Sequence, residues 1–273
     1  MTDLPILSYY YSKHDEYGHP IRGHKNRVQA LLDVWELRGG KTKKLTSADD
    51  VYWNDFVLVD TWERGIKRQL HGRVISITDT ETAPVDQSDI VINHNLAAHE
   101  LDFRYTWATL LGPSYFISGK FFEGLRVLIG GHIVLIPGGA EDEFWKRVSR
   151  KVVGDLAYKY GLGVQVVTGY SPSGAATIMA KAKFVVAAAS TSFLEAKMLG
   201  KHVMGVNTTG RWDQVTNLRE SPLDETYDPT KLDHRLSAGE FHRKKQAPFV
   251  SNHGTYNVIN QIVRLANEYQ NNS

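Results

Sequence analysis

Short β-branched runs alternate with amphipathic segments along most of this 273-residue chain, and that alternation is what most constrains its fold. Residues 6–12 (ILSYYYS) read as a strand. His24–Leu37 reads as a helix, with Val28, Leu31, Leu32 and Trp35 at i, i+3, i+4 and i+7. Gly39-Gly40 ends it. Phe56–Val59 is a short buried strand that runs into Asp60, and Arg73–Ile77 and Ile90–Asn93 are two more. A second series follows: strands at Ile133–Ile136, Val164–Thr168, Phe184–Ala189 and His202–Asn207, with helices at Glu141–Tyr160, Ala175–Ala182 and Ser192–Leu199 between them. Thr255–Tyr269 is a last helix with Val258, Ile259, Ile262 and Leu265 on one face. Strand, helix, strand repeated in this way predicts parallel sheets covered by helices, an α/β protein.

The glycine-rich stretch Tyr115–Gly131 has no clear period and divides the two series. Two Rossmann-like domains are therefore expected, residues 1–125 and 126–273, their parallel sheets facing a central cleft, with the final helix free to pack back on the first. Ligands of such sheets sit at the carboxyl ends of the strands.

Composition removes several classes of function. With no cysteine there is no disulfide scaffold, thiolate catalysis or iron–sulfur cluster. Net charge is +2, and neither half is basic enough to announce nucleic acid by itself. The opening MTDLPILSYYYSKHDE has an apolar run too short for a secretion signal or a membrane span. A cytoplasmic protein with no membrane partner is expected. HExxH, the Walker lysine loop, GxSxG and GxGxxG are all absent. Asp79 and Glu81 are spaced like a loose metal pair, but a polar turn explains them, and no metal or other cofactor is expected.

Three segments carry chemistry. In Gly23-His24-Lys25-Asn26-Arg27 a loop enters the first helix. A histidine at a helix start is held toward its neutral, base-competent form by the dipole. His19 is the rival base. Arg22, Lys25 and Arg27, with Arg38, Lys41, Lys43 and Lys44, form a basic cluster. It is either a solvated helix face or the landing place of an anionic acceptor. In Ala187–Lys197 a buried strand meets Ser190, Thr191 and Ser192 at a helix start, an arrangement suited to a diphosphate, with Glu195 one turn on and able to take a ribose diol. Read blandly, the same residues are an N-cap and a surface acid. Gly138 and Gly139, after a strand, mark a tight turn or a close approach by ligand. The acidic residues 141–143 that follow would repel phosphate.

At these residues the chain resembles the UDP-sugar hydrolases of the pseudaminic acid pathway, relatives of the GT-B nucleotide-sugar glycosyltransferases, over nearly its whole length. Gly23–Arg27 is similar to that family's GHxxR, Asp60 to its strand-end aspartate, Asn93-His94-Asn95 to its Asn-Gln-Asn, and residues 111–115 to its Leu-Gly-Pro-x-Tyr. Gly138-Gly139 falls on its first glycine turn, Glu195 on its nucleotide-binding glutamate, and Asn252-His253-Gly254 on its last helix start. The resemblance implies a GT-B-like fold, His24 as catalytic base with Asp60 nearby, and a nucleotide site at Ser190, Thr191, Ser192, Glu195, Gly138 and Gly139. Two departures stand out: Trp62 replaces a tyrosine, and Ala188-Ala189 replace glycines. With the nucleotide-side glutamate kept, they favour a nucleotide sugar as donor and leave the acceptor open between water and another hydroxyl. The basic face of Arg22, Lys25 and Arg27 suggests an acceptor other than water, and so a glycosyltransferase that uses a UDP-sugar. A hydroxymethylated nucleic acid base is one such acceptor. The alternatives are the hydrolase reaction itself and a silent sugar-nucleotide-binding protein.

Overall fold

The computed structural model describes residues 4–12, 22–46, 56–61, 70, 72–79, 88–95, 98–101, 103, 106–128, 130–137, 143–188, 190–206 and 250–272. The chain forms two units, Met1–Lys120 together with Ser251–Ser273, and Phe121–Val250. The second unit thus begins slightly before residue 126 and ends well before the C-terminus, because the last helix belongs to the first unit.

The first unit holds a six-stranded sheet in the order β2-β1-β3-β4-β5-β6, every neighbouring pair parallel. Its strands are β1 (Leu7–Tyr11), β2 (Thr42–Lys44), β3 (Phe56–Asp60), β4 (Arg73–Ile77), β5 (Ile90–Asn93) and β6 (Ala108–Leu111). The chain reverses between β1 and β2 through helix α1 (Arg22–Leu37). β3 and β5 are buried at every position, as β-branched runs covered on both faces must be. On one face Val28, Leu31 and Trp35 of α1 pack on Leu7, Phe56, Leu58 and Ile75. Two features end α1. Gly39 adopts φ +83°, and a Cβ on Gly40 would lie 2.1 Å from the Trp35 indole, so only glycine fits there.

The C-terminal helix, which we label α5 (Gly254–Asn272), completes this core with Val258, Ile259, Ile262 and Leu265. Its start is pinned by Thr255, whose hydroxyl accepts from Ser118 N (3.0 Å) and donates to Ser118 O (2.9 Å). A Cβ on Gly254 would fall 2.2 Å from the Phe116 carbonyl oxygen, so this helix approaches the chain as closely as backbone allows.

The second unit holds a four-stranded parallel sheet in the order β10-β9-β7-β8. These are β7 (His132–Ile136), β8 (Gly163–Val166), β9 (Phe184–Ala188) and β10 (His202–Val206). Helix α2 (Glu143–Tyr160) covers it with Trp145, Val148, Val152 and Leu156. Helix α3 (Pro172–Ala180) starts earlier than its apolar pattern predicts. Ser171 caps it by accepting from Gly174 N at 3.2 Å, and Pro172 takes the first helical position. Helix α4 (Thr191–Met198) follows β9. No helix among the described residues is long and apolar enough to cross a membrane.

Candidate functional site

Strand register assembles the site of the first unit. Asp60 pairs with Ile77, and Ile77 with Ile92, so the carboxyl ends of β3, β4 and β5 are flush. Asp60, Asp79 and His94 emerge from that edge. His24 and Arg27, one turn apart on α1, reach the same place from above it.

Arg27 is the hub. Its Nε and Nη2 donate to the two oxygens of Asp60, both at 2.9 Å, and its Nη1 donates to Asp79 Oδ1 at 2.5 Å. The guanidinium is 4% exposed. Burial works against its charge, but the two carboxylates outweigh that and raise its pKa. Burial likewise opposes ionisation of Asp79, yet Arg27 and, to a lesser degree, His94 carry it down to about 2. Two carboxylates against one guanidinium leave this buried cluster one negative charge in excess.

Two imidazoles sit beside it. His24 Nε2 lies 3.6 Å from Asp60 Oδ1. Burial lowers the His24 pKa, and the Asp60 charge opposes the shift. The neutral form expected from the helix start is thus favoured here first by burial. His94 is 2% exposed and stands edge-on to Phe116, ring centres 5.1 Å apart. Burial, assisted by Arg27, takes it down to about 4. A neutral His24 over an excess negative charge can accept a proton, because the resulting imidazolium gains Asp60 as counterion.

The loops behind these groups are tied together. Asn95 N donates to Asn93 Oδ1 (3.1 Å), Asn95 Nδ2 donates to the Asp79 carbonyl (2.8 Å), and Gly112 N donates to the Asn93 carbonyl (2.8 Å). The exit of β5 therefore fixes the exit of β4.

Against expectation, Arg27 does not belong to a face open to an acceptor. It is turned inward, where it makes three hydrogen bonds to Asp60 and Asp79. Lys25 is exposed, as a solvent-facing cation should be. Arg22 opens α1, but its side chain, like His19, Trp62, Glu81, Gly138 and Gly139, lies outside the described residues. Lys41, Lys43 and Lys44 are exposed on and beside the edge strand β2, with Lys44 Nζ 5.4 Å from the Tyr11 ring centre. Asp79 and His94 were not singled out as site residues from the sequence. Their signal is position, since His94 follows directly on a buried strand and Asp79 lies two residues past one.

In the second unit, β9 runs into Ser190, at the cap position of α4, where no side-chain cap hydrogen bond forms. Thr191 and Ser192 open the helix, all three residues part-exposed. Glu195, half-buried one turn on, shares a hydrogen bond with Ser192. Burial pushes its carboxyl up to about 7, the Ser192 bond pulling the other way. Among the described residues no group of three His, Asp or Glu side chains could hold a metal ion.

No protein-family model matches the chain, and no curated protein does. Solved structures do. The glycosyltransferase of kitacinnamycin aligns with TM-score 0.57 at 12% identity, over 97% of this chain and 99% of that one. Staphylococcus aureus MnaA in complex with UDP aligns with TM-score 0.55 at 12% identity, over 97% of each chain. MurG of Acinetobacter baumannii aligns with TM-score 0.54 at 10% identity, over 97% of this chain and 99% of that one. Two parallel sheets with this likeness across nearly the whole chain define the fold as GT-B-like. At such identities the likeness concerns fold alone.

Proposed function

We propose that the chain is a glycosyltransferase that moves a sugar from a UDP-sugar to a hydroxyl acceptor. The observation that carries the proposal is the buried cluster at the carboxyl edge of the first sheet: a neutral His24 beside an Asp60 that Arg27 clamps in place. His24 removes the proton of the acceptor hydroxyl. The acceptor oxygen bonds to the anomeric carbon, the bond from that carbon to the diphosphate oxygen breaks, and UDP leaves with the electron pair. Asp60 stabilises the imidazolium that forms. Arg27 acts through Asp60 as a positioning residue.

Ser190, Thr191, Ser192 and Glu195 are proposed to hold the nucleotide. The hydroxyls and free backbone N–H groups of α4 suit a diphosphate, and an ionised Glu195 suits the ribose diol. That MnaA of the same fold is known in complex with UDP supports UDP as the nucleotide. Lys25 and the lysines of the β2 edge remain for the acceptor, and Arg27 leaves that role.

The test is product analysis with a panel of UDP-sugars, with and without added hydroxyl acceptors. UDP release accompanied by glycoside is expected. Free sugar as the sole product would turn the assignment to hydrolysis, the reaction of the family the sequence resembles. Protection against heat by UDP without any turnover would leave a sugar-nucleotide-binding protein.

A further inference from the structure

The charges of the first-unit cluster do not balance, and the imbalance has a single owner. Arg27 closes a two-bond fork on Asp60, both bonds at 2.9 Å, and that pair is neutral as a whole. The remaining negative charge is that of Asp79, which accepts one bond from Arg27 Nη1 at 2.5 Å. Burial opposes its ionisation, yet Arg27 carries the carboxyl down to about 2, so the charge is present at neutral pH.

Asp79 is also placed more firmly than a residue past a strand end needs to be. Thr78 N donates to the Ile92 carbonyl (2.9 Å), the Asp79 carbonyl accepts from Asn95 Nδ2 (2.8 Å), and the Asp79 side chain is only 11% exposed. The charges that act on His24 come from Asp60 on β3, Arg27 on its own helix and Asp79 beyond β4, while burial keeps His94 beyond β5 neutral. Asp60 and Arg27 oppose one another at the imidazole. Asp79 is left to tip the balance toward imidazolium.

We propose that Asp79 is a positioning residue of the transfer: its carboxylate supplies the one unbalanced negative charge that lets His24 take the proton of the acceptor hydroxyl, and it does so through Arg27 without touching either substrate. This rests on the transfer reaction proposed above. Asp79→Asn keeps an oxygen for Arg27 and removes only the charge. An imidazolium without this anion is less stable, so His24 should titrate at lower pH, and the acid limb of turnover should move down with it. A role confined to holding the cluster shut gives the opposite sign. Opening the cluster would relieve the burial that lowers the His24 pKa, and His24 would then titrate at higher pH.

The experiment follows the histidine ring protons of the full-length protein by NMR on acidification, with the His24 signal assigned by its loss in His24→Asn. Turnover with a panel of UDP-sugars is measured over the same pH range. In Asp79→Asn both the His24 midpoint and the acid limb should move to lower pH. Plateau turnover should fall severalfold, well short of the roughly 10²-fold at which loss of a positioned base begins. Asp79→Glu, which keeps the charge, should bring both midpoints back toward the parent. Where Asp79→Asn does not fold, Asp79→Ser, smaller and still an acceptor, carries the same expectation. A His24 midpoint that stays or rises in either folded variant overturns this inference alone. Absence of UDP release from the parent protein on every donor overturns the transfer reaction, and this inference with it.

Discussion

The two strand-end sites of this chain are built in opposite ways. In the first unit, four ionisable side chains within a single cluster (His24, Arg27, Asp60 and His94) are buried, with Asp79 nearly so, and Arg27 alone makes three hydrogen bonds to carboxylates. In the second unit, Ser190, Thr191, Ser192 and Glu195 are part-exposed, and the cap hydroxyl makes no cap bond. Burying charge is expensive, and it persists where every partner is fixed beforehand. A buried, pre-set cluster suits proton transfer, whose groups must not relax during reaction. Open hydroxyls and N–H groups suit a ligand that arrives, binds and departs. The contrast fits the proposal that the first unit does the chemistry and the second captures the nucleotide.

Four variants test that division, in order of decreasing effect. His24→Asn should lower turnover by about 10²–10⁴, the range for a positioned general base, while donor affinity changes by no more than a few fold. A His24→Asn protein with parental kcat would remove the base from the first unit. Arg27→Met should cost about 3–5 kcal/mol of stability, because it leaves two buried carboxylates without their cation. Thermal melting of the variant reads this directly, and heat protection by UDP-sugar should survive in what remains folded. Were the melting temperature unmoved, the cluster would not be the rigid device described.

Glu195→Ala should weaken UDP by about 10- to 100-fold, since a hydrogen bond to a charged group is worth roughly 1.5–3 kcal/mol. Calorimetric titration with UDP measures it, and parental affinity would end the assignment of Glu195 to the ribose. The smallest effect is expected from replacing Lys41, Lys43 and Lys44 with alanine. Exposed cations contribute about 0.2–1 kcal/mol each, so transfer to an anionic acceptor such as hydroxymethylated DNA should fall severalfold and lose part of its salt dependence. Transfer to glycerol should not change. Equal loss on both acceptors would put these lysines in the general machinery rather than at an acceptor surface.

Most of the framework is legible in the sequence for a simple reason. β3, β5, β7 and β9 are covered sheet strands, so they read as short apolar runs bounded by polar residues, and β4 and β10 keep enough of that pattern despite Ser76 and Gly205. β2 escapes because it is a three-residue edge strand, Thr42–Lys44, with no apolar pattern. The inward turn of Arg27 was visible in principle. His24, Arg27, Val28, Leu31 and Trp35 share one helical stripe, and an arginine on an apolar stripe faces inward if a carboxylate waits there. Charge alone could not reveal this, because the partners Asp60 and Asp79 come from strands 33 and 52 residues away. Asp79 read as a turn residue for the same reason: only strand register brings it to Arg27. The early start of α3 lay in the Ser171-Pro172 pair, a cap followed by a proline at the first helical position.

Because the two sites titrate differently, the division between them can be read in the parent protein without any substitution. In the proposed reaction neutral His24 is the competent base, and burial lowers its pKa from 6.5, so turnover at saturating UDP-sugar should hold on acidification until the pH passes below 6.5. In the same proposal ionised Glu195 is the ribose ligand, and burial pushes its carboxyl up to about 7, so donor affinity should already weaken as the pH falls through 7. The measurement is the pH dependence of saturated turnover beside that of UDP-sugar affinity, from pH 8 down to about 5. Two separate midpoints are predicted, the affinity midpoint near 7 and the turnover midpoint below it, with the first abolished in Glu195→Gln. A single shared midpoint, or donor affinity that stays flat across this range, would contradict the assignment of chemistry to one unit and nucleotide to the other.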